Sequence, residues 1–203
     1  MQLGGTSGVI YRVSDWLMKL AVVNVMWIAF TILGLGVFGF YPAFIAMTTI
    51  IIAWKNGENP PYIKTFFQTY KRVFLKANNV ALGAILLTFL LFVNMSIIRY
   101  FEGFLFYFFF VSTIMLILVV WSSLVLVAIA YGREAETFHV KDHFQQMWMM
   151  MVMHPFKLVA LILGIATVVV TILFFPAIAP FYSVSVLSWV GVSLFYSNAQ
   201  EAD

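Results

Sequence analysis

No cysteine occurs anywhere in the 203 residues. That absence removes a disulfide framework, a thiolate metal site, a catalytic thiol and an iron–sulfur cluster at once. Charge is nearly as scarce. Asp, Glu, Lys and Arg make up 9% of the chain, against about 25% in soluble globular domains, too little polar side chain to cover a water-exposed globule. Neither a disordered region nor a nucleic-acid-binding domain has this composition, so no nucleic-acid partner is expected. What the chain has instead is apolar surface: 64% hydrophobic residues, 18% aromatic, mean hydropathy +1.01. The sequence reads as an all-α polytopic membrane protein, a single integral membrane domain over 1–203. No segment outside its apolar runs is long enough to bury a core. The first apolar run is too long for a secretory signal peptide and lacks a small-residue cleavage site.

The few charges are informative through their placement. They bound uncharged runs at 20–54, 77–98, 103–132 and 158–200. A helix needs about 20 residues to cross a hydrocarbon core of about 30 Å, so the two middle runs hold one span each. The last holds two, divided where Pro176 and Pro180 make a continuous helix costly. In the first run, Gly34, Gly36, Gly39 and Pro42 favour a tight hairpin over one long helix. The reading is six spans, at about 18–36, 40–55, 77–98, 103–131, 156–175 and 180–197. Five is the alternative, with 40–54 re-entrant because it is short.

Segment 55–76 holds Lys55, Lys64, Lys71, Arg72 and Lys76 against Glu58, which places it in the cytoplasm. Six spans then put both termini on that side. Within 62–76, Ile63, Phe66, Phe67, Tyr70 and Phe74 recur on one helical face, with Lys64, Gln68, Lys71 and Arg72 on the other. The spacing predicts an interfacial amphipathic helix. A second is predicted over 139–153, where Val140, Lys141, Phe144, Gln145, Met147 and Met151 repeat the pattern begun at Ile63. After a short insertion, Lys76 corresponds to Lys157 and Gly83 to Gly164. Either a weak parallel duplication or two independently amphipathic helices accounts for this. Lys64, Phe67, Lys71, Arg72, Phe144 and Trp148 are the candidate contacts to lipid headgroups or to a cytoplasmic partner.

Chemistry has little to stand on. The uncharged runs contain no Asp, Glu, Lys, Arg or His, so proton coupling and intramembrane acid–base catalysis lack working groups. Ser112, Ser122, Ser123, Ser183, Ser185, Ser188 and Ser193 have no nearby base and no G-x-S-x-G elbow. His139 and His143, four apart with Asp142 between, share a helical face suited to a metal, but no third ligand has a fixed spacing. They read as solvated interfacial histidines, with His154 anchoring a helix entry beside Pro155. Five methionines within 147–153 could suit Cu(I), yet methionine is more often adaptable packing. No cofactor, metal or catalytic residue is expected. Asn24 and Asn94 are the candidate buried polar residues, each needing a partner on another helix. Trp16, Trp54, Trp121, Trp148 and Trp189 lie mostly near span ends, as in an aromatic belt.

Asn24-x-x-Trp27, Gly34-x-x-x-x-Gly39, Pro42-Ala43-x-x-Ala46, Trp54-x-x-Gly57 and then Lys64-Thr65-Phe66-Phe67, Phe74, Lys76 and Asn78 form a pattern over about residues 8–85. It resembles the YesL-like family of small bacterial membrane proteins, a domain of unknown function. The resemblance implies a bacterial plasma-membrane protein, often encoded beside carbohydrate ABC importers and sensor systems. It supplies no catalytic or binding residues. The leading expectation is a non-enzymatic accessory protein whose partners are the lipid bilayer and carbohydrate ABC transporter subunits or a membrane sensor. The alternative is a transporter or permease subunit moving a small solute such as a sugar. Against an ABC permease, Glu134-Ala135-Glu136 lacks the downstream glycine and Leu-Pro of the coupling motif it faintly resembles.

Overall fold

A computed structural model of the chain describes residues 6–134 and 140–196, all helix, turn or loop with no strand among them. In order these are α1 (Thr6–Leu33), α2 (Val37–Lys55), α3 (Tyr62–Ile98), α4 (Gly103–Glu134), α5 (Val140–Met153), α6 (Pro155–Phe174), a 3-10 turn (Pro176–Ile178) and α7 (Ala179–Phe195). Among the described residues six helices are long and apolar enough to cross a membrane: all but α5, the last of them counted from Pro176. The second short segment is among them. α2 runs 19 residues, about 28 Å at 1.5 Å per residue, which matches the hydrocarbon core.

Glycine sets the α1–α2 hairpin. Leu35 and Gly36 take positive φ values of 59° and 76°, and the Gly36 amide turns back to the Thr31 carbonyl at 2.8 Å. Gly34 and Gly39 face each other across the turn. A Cβ on Gly34 would stand 2.3 Å from the Gly39 Cα, and one on Gly39 would stand 2.5 Å from the Thr31 carbonyl oxygen. Neither neighbour is a flexible side chain, so the two helices cross at this distance only because both positions lack side chains.

α2 is the centre of the molecule, packed against α1, α3, α4 and α7. Its sequence is apolar all round rather than on one stripe, the pattern of a fully buried helix. Ala43, Ile45, Ala46, Met47, Ile50 and Ile51 have no exposed surface. Hydroxyls tie this apolar rod to its neighbours. Tyr41 Oη donates to the Leu124 carbonyl of α4 at 3.0 Å, and Thr48 Oγ1 meets Ser188 Oγ of α7 at 2.9 Å. Where apolar attraction between helices is weak, such bonds and close packing carry the association.

The structure corrects the expectation of a separate interfacial helix at 62–76. That segment is the start of α3, one continuous helix of 37 residues, about 55 Å long. Phe74-Leu75-Lys76-Ala77-Asn78-Asn79-Val80 contains no glycine or proline to stop it. Asn78 returns its side-chain amide to the Phe74 carbonyl of its own helix at 2.8 Å. Part of the apolar face goes elsewhere than lipid: Phe66 is fully buried, as are Val73 and Ala77 further along, while Ile63 and Phe67 stay exposed, and the Phe66 ring lies 4.7 Å from that of Phe30 on α1. The second amphipathic segment does stand alone, as α5. The two halves of the sequence repeat therefore part where the alignment needs its insertion. Pro155 opens α6, and His154 before it leaves helical geometry at φ −131°.

At its far end α7 is held by two cations. Lys55 Nζ donates to the Tyr196 carbonyl at 2.7 Å and the Val192 carbonyl at 3.4 Å, and the Arg133 guanidinium donates to the Phe195 carbonyl. Positive charge here meets the last carbonyls of the helix, of which Val192 also accepts from the Tyr196 amide at 2.9 Å, and complements its dipole.

Candidate functional site

Where the ends of α2, α4 and α7 meet the start of α3, they border an open, partly polar cavity of about 600 Å³. The 56–61 loop supplies Asn56, Glu58 and Pro60, α3 supplies Thr65, Gln68, Thr69 and Arg72, and α4 supplies Arg133. Each arginine is braced by an aromatic ring. The Arg72 guanidinium lies 5.7 Å from the Tyr131 ring centre, and that of Arg133 lies 5.7 Å from Tyr196. A guanidinium over a ring is attracted by its negative face and held in plane. The salt bridge seen among the described residues is elsewhere, Lys19 to Asp15 at 2.7 Å.

A second hollow, about 580 Å³, is a groove between α3, α4 and α5. Its walls are Val80, Leu87, Val120, Leu124, Phe144 and Trp148 among others, with Gly83 and Ala84 leaving room at its base. Phe144 and Trp148 are exposed, so both candidate aromatics of the second amphipathic segment meet here. Arg72 is instead on the polar cavity. Lys64, Phe67 and Lys71 are exposed on α3 and line neither hollow. The six candidate contact residues thus do not form one surface.

Asn24 is fully buried, on α1 against the start of α7. Its Nδ2 donates to the Pro180 carbonyl at 2.8 Å and the Ala179 carbonyl at 3.3 Å. Its Oδ1 accepts from the amides of Val184 at 3.1 Å and Ser185 at 2.9 Å. Asn94 is a correction: it is exposed on the α3 surface. Its amide bonds Thr113 Oγ1 of α4 at 3.0 Å, so it has the interhelical partner it needs while its flank faces outward.

His143 is a second correction, since it is fully buried rather than solvated, with its ring 5.7 Å from that of Tyr131. His139 and Glu136 lie outside the described residues. No group of three or more His, Asp or Glu that could hold a metal occurs among the described residues. Of the five methionines, Met147, Met150 and Met151 are buried in packing, while Met149 and Met153 are exposed. Trp16, Trp54 and Trp189 gather in one cluster, with Trp16 6.5 Å from Trp54 and 6.3 Å from Trp189. Lys19 lies over the rings of Trp16 and Trp54.

Sequence reasoning missed Arg133, Thr69 and Tyr196 as cavity residues. Arg133 is visible in the sequence only as a cation ending an uncharged run, a mark that speaks to membrane orientation rather than to a site.

Residues 20–95 match the family described as "Protein of unknown function, DUF624". The resemblance to the YesL-like family is shown over this segment. The YesL-like segment covers the second half of α1, all of α2 and α3 up to Met95, and so includes Asn24, the Gly34–Gly39 contact and Arg72. Arg133 and everything from α4 onward lie beyond it. Three uncharacterized proteins of Bacillus subtilis (strain 168) are similar. YteU is 42% identical over 87 residues, which is 42% of this chain and 38% of that protein. YesL is 37% identical over 83 residues, 40% of each chain, and YesV 36% over 75 residues, 36% of each. The chain thus spans about two fifths of the length of the curated relatives it matches. No solved structure matches.

Proposed function

We propose that this multi-pass membrane protein is a non-enzymatic accessory subunit that works by contact, and that its partners belong to carbohydrate uptake or sensing. ABC importer subunits or a membrane sensor are the candidates. The observation that carries the reading is the packing of α2. A transporter in its own right needs a solute route between its helices, and here the middle of the bundle is filled by a helix whose Ile45, Met47, Ile50 and Ile51 have no exposed surface. The two large hollows lie at one end and along one side of that core. The exposed Phe144 and Trp148 give the side groove the aromatic character of partner surfaces. The carbohydrate part rests on the YesL-like resemblance alone. The YesL-like resemblance supports a bacterial plasma-membrane location, and the basic 55–76 segment supports an orientation with both termini in the cytoplasm.

Gentle solubilisation of the tagged chain from its native membrane, followed by identification of co-purifying subunits, tests the reading. The expected result is an importer or sensor subunit whose recovery drops on Trp148→Ala, together with a change in sugar uptake on deletion. A pure homo-oligomer with unchanged uptake, or substrate flux in proteoliposomes containing this chain alone, would overturn it in favour of no such partner or of transport.

A further inference from the structure

We propose that the polar cavity at the α2–α3 loop is a binding site for an oxyanion of the phosphate class, held between Arg72 and Arg133. The inference stands independently of the partner reading above. The two arginines come from different helices, α3 and α4, and line one cavity of about 600 Å³, within the usual range for small-ligand sites. Both guanidiniums are oriented before any ligand arrives, because each lies against a tyrosine ring at 5.7 Å. Arg133 is fixed further through its bond to the Phe195 carbonyl. That bond uses one of the five N–H donors of a guanidinium, leaving the rest of the fork for a ligand.

The charge balance argues for an anion. Among the described residues two arginines share the lining with one acidic residue, Glu58, all three exposed, and no carboxylate stands within ion-pairing distance of either arginine. Neutral hydrogen-bonding groups complete the wall: Asn56, Thr65, Gln68 and the buried Thr69. Arginine forks match the spacing of phosphate oxygens bidentately. Two forks in one cavity suit a group with several charged oxygens better than a single carboxylate, which one fork would satisfy. Such a phosphate can belong to a soluble phosphate ester or to the headgroup of a phospholipid, and the two share the same recognition.

The test uses the full chain in a phosphate-free maltoside detergent at constant ionic strength. Inorganic phosphate and glycerol 3-phosphate are titrated by calorimetry and by shift of Tm, with chloride as control. Retained phospholipid is measured on the same preparation by native mass spectrometry. Because Arg133 also holds the end of α7, Arg72→Gln is the discriminating variant, and its unliganded Tm reports whether it has folded. Arg72→Lys keeps the charge without the fork. Saturable binding of a soluble probe, weakened about tenfold or more in Arg72→Gln and less in Arg72→Lys, assigns a soluble ester. Phospholipid retained by the wild type and lost from Arg72→Gln assigns a headgroup. The proposal fails if the wild type takes up neither, or if folded Arg72→Gln binds both as tightly as the wild type.

Discussion

The carboxamide oxygen of Asn24 accepts a 2.9 Å hydrogen bond from the backbone amide of Ser185, a donor that within an α-helix would turn to the Phe181 carbonyl. With the neighbouring bonds to Val184, Ala179 and Pro180, this one side chain is spliced into the first turns of α7. The need arises from sequence. Pro176 and Pro180 interrupt the run of helix, and the backbone groups beside them are met by Asn24, whose own amide is fully buried. Ser185 Oγ also donates to the Phe181 carbonyl, at 3.5 Å.

Replacing Asn24 with leucine should therefore cost about 2–4 kcal/mol, four modest bonds lost together with backbone groups stranded in the interior. Asn24→Asp should be no better, since it removes both donors and faces the Ala179 and Pro180 carbonyls with oxygen. Unfolding in detergent, followed by the loss of helical signal, gives the ranking. An Asn24→Leu variant as stable as the wild type would mean that the α7 turn supports itself.

At the α1–α2 turn two kinds of glycine should respond differently. Gly39→Ala drives a methyl to 2.5 Å from the Thr31 carbonyl oxygen and should prevent the hairpin from closing, seen as loss of monodisperse protein. Gly36→Ala meets no atom within 4 Å, and its backbone conformation, φ 76° and ψ −84°, alone costs about 1–3 kcal/mol. Equal behaviour of the two would contradict the close approach of the helices.

Thr48 and Ser188 form a third test. Each single replacement, Thr48→Val or Ser188→Ala, removes the interhelical bond, and the double variant should lose little more than the worse single one. A coupling energy of about 0.6 kcal/mol is expected from measured bonds of this kind in membranes. Strict additivity would show the two hydroxyls to be independent.

The lack of cysteine makes orientation directly measurable, because an introduced thiol is unique in the chain. Tyr100→Cys, at a strongly exposed position in the turn between α3 and α4, should react with a membrane-impermeant maleimide on intact cells. Glu58→Cys, exposed in the loop near the start of the basic 55–76 segment, should react only after permeabilisation. The reverse pattern would invert the topology inferred from Lys and Arg.

Breaks in the chain are legible in the sequence because they are local chemistry. Pro176 and Pro180, and the glycines at 34, 36 and 39, act on their own backbone wherever the rest of the protein lies, and the structure interrupts helix at both places. What covers a face is not legible. The stripe of Phe66, Tyr70 and Phe74 marks residues that leave water, and lipid and α1 satisfy it equally well, so the continuity of 62–98 is hidden. Asn24 is recognisable as needing a partner, though nothing in its neighbours points ahead to Val184 and Ser185 on the last helix. That Arg72 and Arg133 line one cavity is hidden for the same reason: it holds only once α3 and α4 lie side by side.

The unbroken course of α3 has a mechanical consequence. Its opening stretch from Tyr62 to Lys76 carries one wall of the arginine cavity, and the remainder from Ala77 is long enough to cross the hydrocarbon. With no hinge between them, these parts behave as a lever. A tilt of about 10° in the lipid-facing portion, well inside the range that helices adopt as bilayer thickness varies, swings the far end of an arm of about 22 Å by about 4 Å. The fully buried Phe66 and Val73, packed into the core at that end, oppose such a swing.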